Sequence, residues 1–235
     1  MSRKVWRRPI PAQLGDVIAR AVGRADFVLP EETRIEALDA LGEGKHPAVI
    51  GHVAYLCVVG PPAVRRAAGD AVATLAILLV DDDLVELDSG VRDRSPWSNR
   101  GYGLEQQAWW QLQPRNFLRL LSESARPGLV AAICSMHRSG HVRQAAVEAM
   151  NPPTADQIGY VLLRSTDWVP QVRDAANRLL TNGLGRYHAD EAVRLLPVLQ
   201  RVQSRLRGAD SSGIAAIEVL IRSPLGQRAL WTAVT

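Results

Sequence analysis

The side chains best suited to holding a partner fall in one stretch, Ser89 to Pro114. Trp97, Tyr102, Trp109 and Trp110 occur there within 14 residues, interspersed with Arg92, Arg94 and Arg100 and with Gly90, Gly101 and Gly103. Trp, Tyr and Arg dominate binding hot spots, so these four aromatic and three Arg residues are the candidate partner-contacting set. The competing role for Trp109 and Trp110 is internal, because a Trp pair opening a helix is well suited to plugging a groove between poorly matched neighbours. The loop half, Val91 to Tyr102, is harder to bury and makes the better contact.

An acidic block precedes these residues: Asp81, Asp82 and Asp83, then Glu86, Asp88 and Asp93. Consecutive carboxylates on a helix point in different directions, and no His or Cys lies near, which makes a cation site a poor reading. Two roles remain. The carboxylates suit the start of the short helix LVELD, where the helix dipole favours negative charge, and Asp81, Asp82 and Asp83 would attract a basic partner at long range.

The other chemistries lack their residues. His46, His52, His137, His141 and His188 form no HExxH, no HxH and no His-Glu dipeptide, so the ligand sets of zinc proteases and of His-Glu iron sites are missing. His137 and His141 are four apart, but Ser139-Gly140 between them reads as an inter-helix turn. Cys57 and Cys134 sit inside apolar runs and make no CxxC pair, which supports neither a zinc knuckle nor a disulfide framework and suits a reducing cytoplasm. No G-x-S-x-G elbow presents a nucleophile. The expectation is no catalytic residue, no metal and no cofactor.

The bulk properties narrow the partner. Residues 1–24 carry a net charge of +5, residues 25–93 carry −8 and residues 94–235 carry +7, within a total of +4. A protein tracking a phosphate backbone along its length would not place its strongest acidic block in its first half. Nucleic acid is therefore the disfavoured partner and another protein, with a basic surface, the favoured one. The best apolar runs, Ala48 to Val59 and Ala71 to Val80, span 12 and 10 residues, against the roughly 20 needed to cross a bilayer. The basic start, MSRKVWRRPIPAQL, has no apolar core behind it as a secretory signal would. A cytoplasmic protein with no membrane segment is expected.

What positions these residues is helix. Pro11, Pro30, Pro47, Pro62, Pro127 and Pro224 each precede an apolar stretch of helical period, where a missing amide proton costs nothing. Gly23, Gly42, Gly60, Gly183 and Gly208 stand where such stretches stop. The punctuation predicts about twelve to fourteen short helices, and no hairpin dipeptide bounds a strand-like run. Three windows align without gaps: PAVRRAAGDAV from Pro62, GHVRQAAVEAM from Gly140 and PQVRDAANRLL from Pro170. Each carries Val-Arg-x-Ala-Ala and an apolar residue four positions after the second Ala, all on one helical face, where the small Ala admits a neighbouring helix closely. TRIEALDAL from Thr33 and GIAAIEVL from Gly213 are weaker echoes. Arg65, Arg143 and Arg173 share one place in three repeats, so they are expected to be structural.

VRRAA, VRQAA and above all STDWVPQVRDAANRLL resemble the second helix of a HEAT repeat and the turn before it, most strongly from about Pro127 to Leu180. The resemblance implies an all-α fold: a right-handed α-solenoid of about five irregular repeats in a single domain over residues 1–235. Residues 1–24 would form a basic N-terminal segment, and residues 89–114 a repeat-breaking insertion. It also implies a ladder of turn Asp and helix Arg, which only Asp167 among the turns can supply. Such solenoids present an extended surface suited to a macromolecule. The function expected is therefore non-enzymatic protein binding, by an adaptor or by an inhibitor such as an immunity protein that caps a toxin. In residue type, Asp167, Trp168 and Arg173 with Trp109 and Trp110 also resemble the DNA-gripping set of the HEAT-like alkylpurine DNA glycosylases, which is the alternative.

Overall fold

The structure, a computed structural model, describes residues 10–23, 29–79, 83–93, 104–183, 189–204 and 211–234. These residues form 16 α-helices and a 3-10 turn at Pro47–Val49, with no strand among them. The first half comprises α1 (Ala12–Val22), α2 (Glu31–Glu43), α3 (Ile50–Val53), α4 (Leu56–Val59), α5 (Pro62–Ala76), α6 (Asp83–Asp93) and α7 (Leu104–Trp110). The second comprises α8 (Pro114–Glu123), α9 (Pro127–Cys134), α10 (Gly140–Ala149), α11 (Ala155–Arg164), α12 (Pro170–Gly183), α13 (Ala189–Arg194), α14 (Leu196–Gln203), α15 (Ser212–Arg222) and α16 (Pro224–Val234).

All six prolines stand where expected, Pro11 and Pro30 just before a helix and the others at the first position of one. The helix count exceeds the expected twelve to fourteen partly because the apolar run from Ala48 to Val59 breaks into a 3-10 turn and two four-residue helices. Gly23 caps α1 with φ at 76°, the left-handed region that glycine enters without strain. Gly42 does not end α2, which runs one residue further to Glu43. Its role is close approach: a Cβ there would lie 3.3 Å from the Ala71 Cα of α5. Gly208 lies outside the described residues.

The repeated windows are α5, α10 and α12, and in each the predicted face is the buried one. Val64, Val142 and Val172 are fully buried, as are Ala68, Ala146 and Ala176, and the later apolar residues Val72, Met150 and Leu180 are at most 2% exposed. The two echoes are helical as well, within α2 and α15. Neighbouring helices pack on one another along the second half: α9 on α10 and α11, α10 on α12, α11 on α12 and α14, α12 on α15. In the first half α2 packs on α1 and α5, and α5 on α3 and α4. One apolar core runs through both halves, from Ile18 and Leu38 to Ile217 and Ile221. No described helix is long and apolar enough to cross a membrane.

Candidate functional site

The turns before α10 and α12 are built alike, although one is closed by a histidine and the other by an aspartate. Asp167 Oδ1 accepts the Val169 amide at 3.0 Å, and thirty residues earlier His137 Nδ1 accepts the Ser139 amide at 3.0 Å. Each turn is then tied from above by the repeat Arg: Arg143 Nη1 donates to the His137 carbonyl and Arg173 Nη1 to the Asp167 carbonyl, both at 2.9 Å and both six residues back. Arg143 and Arg173 thus hold equivalent structural positions, as expected. Arg65 departs from them, since its recorded partner is Glu123 of α8 at 3.7 Å.

The free edge of each turn residue then meets something different. Nδ1 of His137 is an acceptor, so Nε2 carries the ring proton and donates it to the Trp109 carbonyl at 2.7 Å. The indole of Trp109 meets the same imidazole edge-on, 4.6 Å between centroids at 81°. Burial holds His137 neutral and its pKa down to about 4, with nearby Arg138 and Arg143 adding to the shift, and burial alone does the same to His52. Both folded values lie below the ordinary 6.5, so on acidification the unfolded chain takes up these protons first. The stability they protect is complete above pH 6.5 and lost as pH falls towards 4. Urea unfolding at pH 7 and pH 4.5 should show a lower midpoint at pH 4.5, with a smaller drop for His52→Gln. A flat profile would contradict the burial of both rings as neutral groups.

Asp167 meets charge instead. Arg143 grips it with both ends of the guanidinium fork, Nε to Oδ2 at 2.9 Å and Nη2 to Oδ1 at 2.8 Å, and neither side chain has any exposed surface. Arg164 Nη1 reaches Oδ2 at 3.3 Å and pairs through Nη2 with Asp88 of α6. Arg92, one turn along α6, donates to both Asp88 oxygens at 3.1 and 3.2 Å and lies 3.8 Å from Asp167. Three guanidinium groups and two carboxylates therefore lock α6, α10 and α11 to the turn before α12. Trp168, 61% exposed, lies over the Arg143 guanidinium at 5.8 Å.

Several candidate contact residues thus face inwards. Trp109 is 3% exposed, and Trp110 is half-buried and packed against the core, which is the internal plugging role and not a presented anchor. Arg92 is engaged in the charge cluster, and Asp83, 2% exposed, opens α6 from a buried position, so its carboxylate is not a solvated cap. Arg94, Trp97, Arg100, Tyr102, Asp81 and Asp82 lie outside the described residues. The set that resembled a glycosylase is not gathered on one open surface: Asp167 and Trp109 are internal while Trp168 points outwards. Cys57 and Cys134 are buried thiols whose pKa burial pushes up, to about 12 for Cys57, which leaves them protonated and inert at neutral pH.

Among the described residues, a cleft of about 630 Å³ is bounded by α5, α6, α9, α11, α13 and α14. Small and aliphatic side chains make its walls, among them Ala73 and Ala76 of α5, Leu129 and Ala132 of α9, and Leu195 and Val198. Gly128 contributes by what it lacks: a Cβ there would lie 3.0 Å from the Gln157 amide nitrogen, which donates to the Gly128 carbonyl. Asp156, Glu191, Arg194 and Arg126 also line the cleft, and Arg126 is held by Asp70 at 2.6 Å. Tyr160 also lines it, its phenol pushed up to about 12 by burial and by the Asp156 carboxylate. Ile77, also lining the cleft, is 84% exposed and its neighbour Leu78 38%. Sequence reasoning missed this site, since its residues come from six helices and share no motif. No family model, curated protein or solved structure matches the chain.

Proposed function

We propose that the chain is a HEAT-like α-solenoid that binds another protein as a non-enzymatic adaptor or inhibitor, through the cleft beside α5. The solenoid reading is supported by the stacking of like helices, α9 on α11 and α10 on α12, then α11 on α14 and α12 on α15. The Arg143–Asp167 fork between successive units adds to it. The observation that carries the function is the cleft itself: an apolar trough edged by Ile77 at 84% exposure. Contiguous exposed apolar surface rimmed by polar groups marks sites of association, and a trough between helices suits the apolar face of a partner helix.

The test is affinity capture with the tagged chain from the cells that encode it, then titration of the purified captured protein. Ala76→Trp, which fills the trough from a half-buried position, and Ile77→Asp should each weaken binding by about 1–3 kcal/mol with little change in melting temperature. Undiminished affinity in both variants would remove the cleft from the reading. Tight binding to duplex DNA in a filter assay, falling steeply between two salt concentrations, would replace protein binding with nucleic-acid binding.

A further inference from the structure

The surface that best complements the cleft belongs to the chain itself. α16 packs on α13 and α15 with its inner face, while its outer face carries Leu225, 63% exposed, Arg228, and Trp231, 71% exposed. These three stand on successive turns of an 11-residue helix, about 16 Å long at 1.5 Å per residue. Val219 of α15, 70% exposed, continues the apolar character on the neighbouring helix, where Arg222 pairs with Glu218 at 3.9 Å. Exposed apolar side chains grouped on one region of the surface and flanked by polar groups mark a site of association.

Charge decides what covers it. With Arg126 held by Asp70, the cleft offers Asp156 and Glu191 against Arg194, a net negative rim around an apolar trough. Arg228 is the one charged residue of α16. We infer that the cleft of one copy receives the α15–α16 face of a second copy: Trp231 and Leu225 enter the trough, and Arg228 meets the Asp156 and Glu191 carboxylates. Made reciprocally, with each copy giving its α16 and receiving the other's, the contact closes at a dimer. The inference rests on the reading of the cleft as a protein-docking site and names its occupant.

Sedimentation equilibrium of the full chain tests it. The expected mass is twice the 25.7 kDa of one chain at micromolar concentration, with dissociation promoted by salt. Trp231→Asp and, from the cleft side, Ala76→Trp should each raise the dissociation constant by about 30-fold or more. Glu191→Arg and Arg228→Glu should each weaken the dimer by about tenfold, and the double exchange should recover most of the loss. Circular dichroism melting of each variant separates loss of association from loss of fold. A wild-type chain that stays monomeric at 100-fold higher concentration, roughly 100 µM, overturns the pairing, as does a dimer indifferent to both Trp231→Asp and Ala76→Trp. A monomer whose captured partner is lost on Ala76→Trp keeps the docking reading and discards the second copy as its occupant.

Discussion

Asp167→Ala should cost about 3–5 kcal/mol of folding stability, because it removes the carboxylate at the buried end of the charge cluster, where neither it nor Arg143 has any exposed surface. Breaking a buried pair is far costlier than never having built it, since the remaining ion keeps its desolvation penalty without its counter-charge. Here the change strands more than one ion. Arg143, fully buried, loses both arms of its fork, and Arg164, also fully buried, is left with Asp88 alone, which Arg92 already shares. The Val169 amide loses its acceptor as well. For a domain of this size the cost corresponds to a fall in melting temperature of about 6–20 °C. Urea unfolding monitored by circular dichroism would measure it. A loss below about 1 kcal/mol, the scale of an exposed ion pair, would mean that water reaches the cluster.

Trp109→Ala should destabilise the chain to a similar extent, about 3–5 kcal/mol, and should leave the affinity of the folded protein for its partner unchanged. The indole is 3% exposed, packs edge-on against His137, and sits on α7, which packs on α4. Removing it leaves a cavity that its surroundings, pinned by the His137 hydrogen bonds, cannot readily close. Thermal denaturation and partner titration on the same sample distinguish this from a contact role. Weakened binding at a normal melting temperature would restore Trp109 as a surface anchor.

The legibility of this chain differs sharply between its levels. Helical character, helix starts and the buried face of the repeats could be read directly, because Pro placement and the Val-Arg-x-Ala-Ala spacing act locally, within one or two turns. The turn role of His137 was legible in principle: it precedes Asp167 by thirty residues, the spacing of the repeat, but a histidine invites questions about metals before questions about turns. The inward orientation of Trp109 was legible only as one of two roles for a Trp pair opening a helix, and that of Arg92 was not legible at all. It depends on α6 and α7 meeting α11 and the turn after α9, and nothing in either sequence segment names the other. The cleft was hidden for the same reason, being a property of what six helices leave empty.

The segment that breaks the repeat also changes how the molecule should come apart. Through Glu105, α7 is joined to Arg34 of α2 at 2.6 Å, and through the Trp109 carbonyl it is joined to His137 between α9 and α10. Arg34 also donates to the Ala21 carbonyl of α1. A simple stack of helix pairs holds only nearest neighbours and can unravel from either end. Here a strut of seven residues spans from the first helices to the middle of the stack, so fraying at the amino-terminal end must also release α7 and expose the His137 turn. On the solenoid reading proposed above, the strut would convert an array that melts piecemeal into one whose halves unfold cooperatively.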